Sequence, residues 1–519
     1  MLSSSGIKKI TAGPVAFAAW SAVFAFVYTQ LPLFASNQYQ YFLHGLSQAG
    51  YGNLSQDWLA RTADPTPLFS ALVNSTYRIF HSEAPAYVYY GLLLGVYFYA
   101  LFGIADLLYD LRSSRIRSLA FITGFMGIHS TAFRFLLSRI WNGEAGYMFE
   151  GGVAEQRILG QIFQPSSFGV FLLLSILFFL RGKKGFSILA LAVAVYFHST
   201  YLLVGALLTL GYLTAIVGQE RSGRSALRFG LLALLAVAPV MLYDLALFRP
   251  TSLEIYNQAE YILAHFRIPE HAQLGWLFRW MGIFSLSLIA AALLVMRKTR
   301  LFPVAAVSLL GMLILTGVEW ATGNDSLALL FPWRISSILV PLSSTILLAA
   351  GIRWASGRIP ALPDTVGRAI PIAFLSGITV LLFAGIARFP LDQAAAASDP
   401  AIPMMNFVRD SARTGEVYFI PPRMESFRLI TGQPVFVDLK SIPYRDTDVV
   451  EWYRRLMLAN DFYQPGAFQC HRLMDLASAE GVHLFVVPTE DRPVSCVDFR
   501  ILYQDAEYAI LYVFPKPVQ

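Results

Sequence analysis

The chain has 519 residues with 39 Lys and Arg against 33 Asp and Glu, a formal charge of +6, yet only 14% of it is charged and 56% is hydrophobic. Soluble domains have about a quarter of their residues charged, so this composition excludes a wholly water-soluble protein and calls for a bilayer to solvate much of the chain. The basic excess does not indicate nucleic acid, which needs cations gathered on one face or tail; here they sit in short clusters between long apolar runs.

Apolar windows of about 18–25 residues, the length that crosses a hydrocarbon core of about 30 Å, fall near 11–33, 87–109, 118–137 and 165–181. Further windows lie near 229–248, 275–296, 301–320, 334–352 and 369–388. The stretch 186–217 is short for two crossings and long for one, and loop charge decides it. Read as a hairpin with His198, Ser199 and Thr200 at its tip, it places 17 basic residues on one side: Lys8, Lys9 and the clusters around Arg115, Lys183, Arg224, Lys298 and Arg358. The other side then holds Arg61, Arg78, Arg139, Arg157, Arg249 and Arg267, whereas a single crossing would move nine of the seventeen across. The expected architecture is therefore an α-helical polytopic membrane protein of about 11 transmembrane helices in the inner (plasma) membrane, with a cytoplasmic N-terminus. Its transmembrane domain is expected over 1–390, and long outer loops at 34–86, 138–164 and 249–274 mark the functional face.

In the first outer loop, Ser55-Gln56-Asp57-Trp58 sets a carboxylate beside an aromatic ring near the boundary, which suits a general base and equally suits a helix cap. The second loop carries Glu144, Glu150 and Glu155, then Gln156 and Arg157, polar groups that need partners as the chain enters the membrane. Asp57 and Glu155 together offer hard oxygens for a divalent cation, Mg or Mn, without a diagnostic spacing. The third loop reads His265-Phe266-Arg267-Ile268-Pro269-Glu270-His271, a group suited to gripping phosphate or, through His271, to relaying a proton. Phe331-Pro332-Trp333-Arg334 opens a span with an arginine at the boundary, placed either to bind the phosphate of a lipid-linked substrate or to snorkel to the interface.

After Arg388-Phe389-Pro390 the apolar character ends, and residues 391–519 are expected to form a soluble C-terminal α/β domain in the periplasm or its extracytoplasmic equivalent. Helical patterns at 402–413, 446–459 and 467–480 alternate with β-rich runs at 416–420, 434–438, 484–487 and 508–514. The two cysteines of the chain, Cys470 and Cys496, both fall here and form either one disulfide or two buried thiols.

This layout resembles the GT-C superfamily of membrane glycosyltransferases: an inside N-terminus, a long first outer loop with an acid (Asp57), further polar outer loops and an outer α/β domain. The stretch Phe427-Arg428 to Gly432-Gln433-Pro434-Val435-Phe436-Val437-Asp438-Leu439-Lys440-Ser441-Ile442-Pro443-Tyr444 is similar to a segment of bacterial multi-spanning proteins of this type. Gln56-Asp57 departs from the acidic pair usual in that first loop. The resemblance implies inverting transfer of a sugar from a polyprenyl-phosphate lipid to an acceptor, with Asp57 as base and with Arg334, Arg267, His265, His271, Glu155 and Gln156 binding substrate and phosphate. The rival readings are a transporter or flippase of a lipid-linked or polar substrate, with His129, His198, Asp244 and Glu319 along its pathway, and a non-catalytic envelope assembly protein.

Overall fold

The computed structural model describes residues 13–141, 143–358, 364–464, 470–491 and 499–514. Lys8, Lys9 and Cys496 lie outside them, as does the side chain of Cys470, so the question of a disulfide does too. Among the described residues six helices are long and apolar enough to cross a membrane, and a seventh span is formed if Arg115–Ile128 and Thr131–Ile140, bent by 50° at their junction, count as one. Four shorter apolar helices, Pro14–Tyr28, Pro165–Leu180, Lys184–Phe197 and Trp280–Met296, fall in windows expected to span. The protein is a multi-pass membrane chain, and length alone does not fix the count at eleven. The hairpin is present: helices Lys184–Phe197 and Tyr201–Glu220 break at 198–200.

The chain divides into two compact units. The first comprises residues 1–31, 86–244 and 263–391; the second is assembled from 32–85, 245–262 and 392–519. Residues 32–85, which overlap the segment 34–86 expected as a loop of the membrane domain, fall in the same unit as 392–519.

That second unit is centred on a four-stranded sheet of order β1-β2-β4-β3, where β1 is Tyr418–Phe419, β2 Leu484–Pro488, β3 Phe499–Gln504 and β4 Tyr508–Val513. β1 runs parallel to β2, while β4 pairs antiparallel with β2 and β3. Alternation puts successive side chains on opposite faces. On one face Met404, Met405 and Val408 of helix Ile402–Ser411 pack against Tyr418, Leu484, Val486 and Ile510. On the other, Phe419 meets Phe436, Phe462 and Phe485 at ring separations of 5.0, 5.3 and 5.2 Å. The run 434–438, expected as a strand, forms a single bridge from Val435 to Tyr418. Two of its carbonyls are taken by indoles instead, Phe436 O by Trp58 and Asp438 O by Trp452. β3 was not foreseen.

The two earlier segments are bound to this unit by polar contacts. Thr251 donates to Asp446 through both its backbone N–H and its hydroxyl. Asn53 donates its side-chain amide to Gln433 Oε1, Tyr51 its hydroxyl to Leu429 O, and Gly415 N–H reaches Gln56 Oε1. Gly52 is required at the joint, since its φ is +52° and a Cβ there would stand 2.4 Å from Gly432 O.

Candidate functional site

Arg334 lies in a short 3-10 turn, Pro332–Ile335, that leads into helix Ser336–Ser356. Phe331 takes a left-handed conformation (φ 54°), Pro332 starts the turn, and the buried Trp333 indole donates to Thr316 Oγ1 at 2.9 Å, which fixes the turn. The guanidinium then reaches three neutral acceptors. Nε donates to Gln156 Oε1 at 3.1 Å, and Nη1 donates to His198 Nε2 at 3.0 Å and to Thr200 Oγ1. Among the described residues Arg334 forms no ion pair. A half-buried guanidinium with only neutral partners keeps its full charge to offer.

Gln156 is delivered by a strained loop. Ala154 and Glu155 both have positive φ, 55° and 59°, a conformation costing about 1–3 kcal/mol at a residue with a side chain and concentrated at functional sites. Gly152 N–H bonds Gln156 O at 2.8 Å and Ser336 Oγ accepts from Val153 N–H at 2.8 Å, which clamps the loop to the start of the arginine's own helix. Gly152 permits that approach, because a Cβ there would lie 2.4 Å from Ser336 Oγ. Gln156 Nε2 is buried with no hydrogen-bond partner among the described residues.

The same loop sets a histidine. Ala154 O accepts from His271 Nδ1 at 2.9 Å, and since a carbonyl only accepts, the proton sits on Nδ1 and Nε2 carries the lone pair. Burial, reinforced by the charges of Arg334 and Arg267, holds His271 down at about 4. Burial and Arg334 also hold His198 well below the usual histidine range, as its role of acceptor requires. The stability linkage follows. Unfolded His271 titrates near 6.5 and the folded one near 4, so the unfolded state binds more protons between these values. Its contribution to stability is present above about pH 6.5 and is lost as pH falls toward 4. His271→Gln should flatten this acid-side loss in melting curves taken from pH 7 to pH 4, and an unchanged slope would refute the assignment.

The sequence-predicted residues thus divide. Arg334, Gln156 and His271 are brought together with Arg267 close enough to be felt, and the strained Glu155 adjoins Gln156. His265 instead pairs with Asp325 at 2.9 Å. His198 was legible as a hairpin tip and as a pathway residue of the transport alternative, and Thr200 only as the tip, although two polar residues at the tip of an apolar hairpin are a signal of need for a partner.

Asp57 has another occupation. It belongs to the second unit, is fully buried, and accepts from Arg428 Nε at 2.8 Å, Leu59 N–H at 2.9 Å, Ala60 N–H at 3.3 Å and Val435 N–H at 3.1 Å. Arg428 also pairs with the buried Asp438. A carboxylate with both oxygens bound and no exposure is a structural clamp in this geometry, not a base presented to a substrate, and it has no coordination left for a cation. No group of three or more His, Cys, Asp or Glu among the described residues is placed to hold a metal ion.

A second buried constellation lies in the first unit. Tyr28 donates to Glu150 Oε1 at 3.1 Å, and Arg134 and His129 stand 3.7 and 3.8 Å from that carboxylate. Arg134 donates to the carbonyls of His129 and Tyr28, so the network ties the bend after Ile128 to the first helix. Desolvation raises Glu150 to about 7, partly offset by Arg134.

Residues 399–459 match the model of a domain of unknown function, DUF6798. No curated protein matches the chain. Among solved structures it is similar to ArnT from Cupriavidus metallidurans bound to undecaprenyl phosphate, with 14% identity and a TM-score of 0.47 over 96% of this chain and 97% of that one.

Proposed function

We propose that the protein is a membrane glycosyltransferase that takes a sugar from a polyprenyl-phosphate donor and seats the donor's phosphate at Arg334. The observation that carries this reading is the half-buried guanidinium held by Gln156, His198 and Thr200, all neutral. Its desolvation is offset only when an anion arrives, and a lipid-linked phosphate is an anion that reaches an arginine at the end of a membrane span. The N–H groups of the helix turn that carries Arg334 add positive potential. The loop-charge pattern supports a site on the non-cytoplasmic side of the inner (plasma) membrane.

In the proposed step an acceptor hydroxyl attacks the anomeric carbon from the face opposite the phosphate. The carbon–oxygen bond to phosphate breaks and its electron pair stays on the phosphate oxygen, where Arg334 and Arg267 stabilise the growing charge. The hydroxyl proton passes to His271 Nε2, whose tautomer Ala154 O fixes and whose low proton affinity rises once the phosphate anion binds beside it. Asp57 is given no part in this step, because its oxygens are already engaged.

Proteoliposomes of the purified protein, supplied with a panel of polyprenyl-phosphate hexoses and pentoses and with an envelope lipid and saccharide extract as the source of acceptor hydroxyls, should release free polyprenyl phosphate above the level of empty liposomes given the same extract. Movement of intact glycolipid between leaflets, with no free polyprenyl phosphate from any donor, would overturn transfer in favour of transport.

A further inference from the structure

The second unit contains a cleft of about 650 Å³, within the range of small-ligand sites, about 300–1,000 Å³. Its origin is in the sheet. Tyr418, Leu484, Tyr512 and Arg500 are paired in one row across all four strands, so their side chains share a face. Helix Ile402–Ser411 covers part of that face through Met404, Met405 and Val408, over Val486 and Ile510, and then ends at Ser411. Tyr418 and Leu484 are buried, whereas Tyr512 is half-buried and Arg500 exposed; the cleft lies along this row, walled by the 411–418 connection and by β3 and β4.

The lining combines two chemistries. Tyr512, Phe407 and Phe514 are aromatic, and Leu502 and Phe514 stay 37% and 50% exposed. Arg413, Arg500 and His483 supply cationic or donor groups. Among the described residues neither arginine pairs with a carboxylate, and His483 Nδ1 is buried with no hydrogen-bond partner. Glu416, the acid of the lining, is engaged by Arg413 N–H and by the Tyr418 hydroxyl.

We infer that this cleft binds an anionic saccharide. Flat aromatic faces beside guanidinium forks match a ligand with apolar ring faces and carboxylates. A bare anion would leave the aromatic wall unused, and an apolar ligand would strand two guanidiniums. The inference does not depend on the transfer reading, since binding is read without turnover.

The test uses the full chain in nanodiscs and calorimetry with trigalacturonate, against maltotriose and inorganic phosphate. Trigalacturonate should bind, maltotriose at least about tenfold more weakly, and millimolar phosphate should not displace it. Arg413→Glu and Arg500→Glu, both at exposed positions, should each weaken binding about tenfold or more, the scale of one charge-assisted hydrogen bond, with the melting temperature unchanged. Absence of trigalacturonate binding, equal affinity for maltotriose, displacement by phosphate, or undiminished binding in the double variant would each overturn the proposal.

Discussion

Asp57→Ala is expected to cost about 3–5 kcal/mol of stability, the typical loss when one partner of a buried ion pair is removed and the other stays behind. The charge left behind is Arg428, 2% exposed and then facing only Asp438, while the N–H groups of Leu59, Ala60 and Val435 lose their acceptor. Sugar transfer would fall with the fold, so the single variant does not separate a clamp from a catalytic base. A triple exchange does. Replacing Asp57 and Asp438 by asparagine and Arg428 by methionine removes every buried charge of the triad while leaving amide oxygens to accept from the N–H groups of Leu59 and Ser441, and removing all the charges of a buried network is often neutral or stabilising. The triple variant should recover most of the melting temperature lost by Asp57→Ala, and the proposed function requires transfer to return with it. Recovery of the fold without activity would reinstate Asp57 as a base.

Arg334→Ala is expected to lower transfer by a factor of 10² or more, the scale of losing one preorganised charge donor to a developing anion, with little loss of fold because its partners Gln156, His198 and Thr200 are neutral. Arg334→Lys should recover only part of this. A lysine keeps the charge but not the fork that meets Gln156 through Nε and the hairpin tip through Nη1. Single-turnover release of polyprenyl phosphate would measure both. Wild-type rates in Arg334→Ala would remove the phosphate seat from the mechanism.

The membrane half was legible because its signals are local. Apolar length and loop charge located the helices and split the stretch at 198–200, and an arginine at a span boundary is conspicuous in any apolar sequence. The partners of that arginine were less visible, since Gln156, His198 and Thr200 lie 134–178 residues away from it. His265 was misplaced because it shares a short segment with His271, yet the chain turns between them and sends it to Asp325. Asp57 failed for a related reason. Its neighbourhood in sequence, Gln56 and Trp58, reads as a wet loop, while its true surroundings are donated by residues 428 and 435. Arg428 and Asp438 stood in plain view within the segment that carried the family resemblance, but nothing local announces that two acids will share one guanidinium.

The assembly of the second unit from three distant stretches sets a timetable for biosynthesis. Asp57 and Arg428 are 371 positions apart, and ribosomes add about 5–20 residues per second. Residues 32–85 therefore wait on the order of 20–70 s before their permanent partners emerge. Throughout that interval Asp57, Asn53 and Trp58 lack Arg428, Gln433 and Phe436, their partners in the finished protein. Loop closure over such a separation is slow, so the nascent chain passes through a prolonged stage in which this segment is sticky and protease-sensitive. Holding chaperones would find their substrate there.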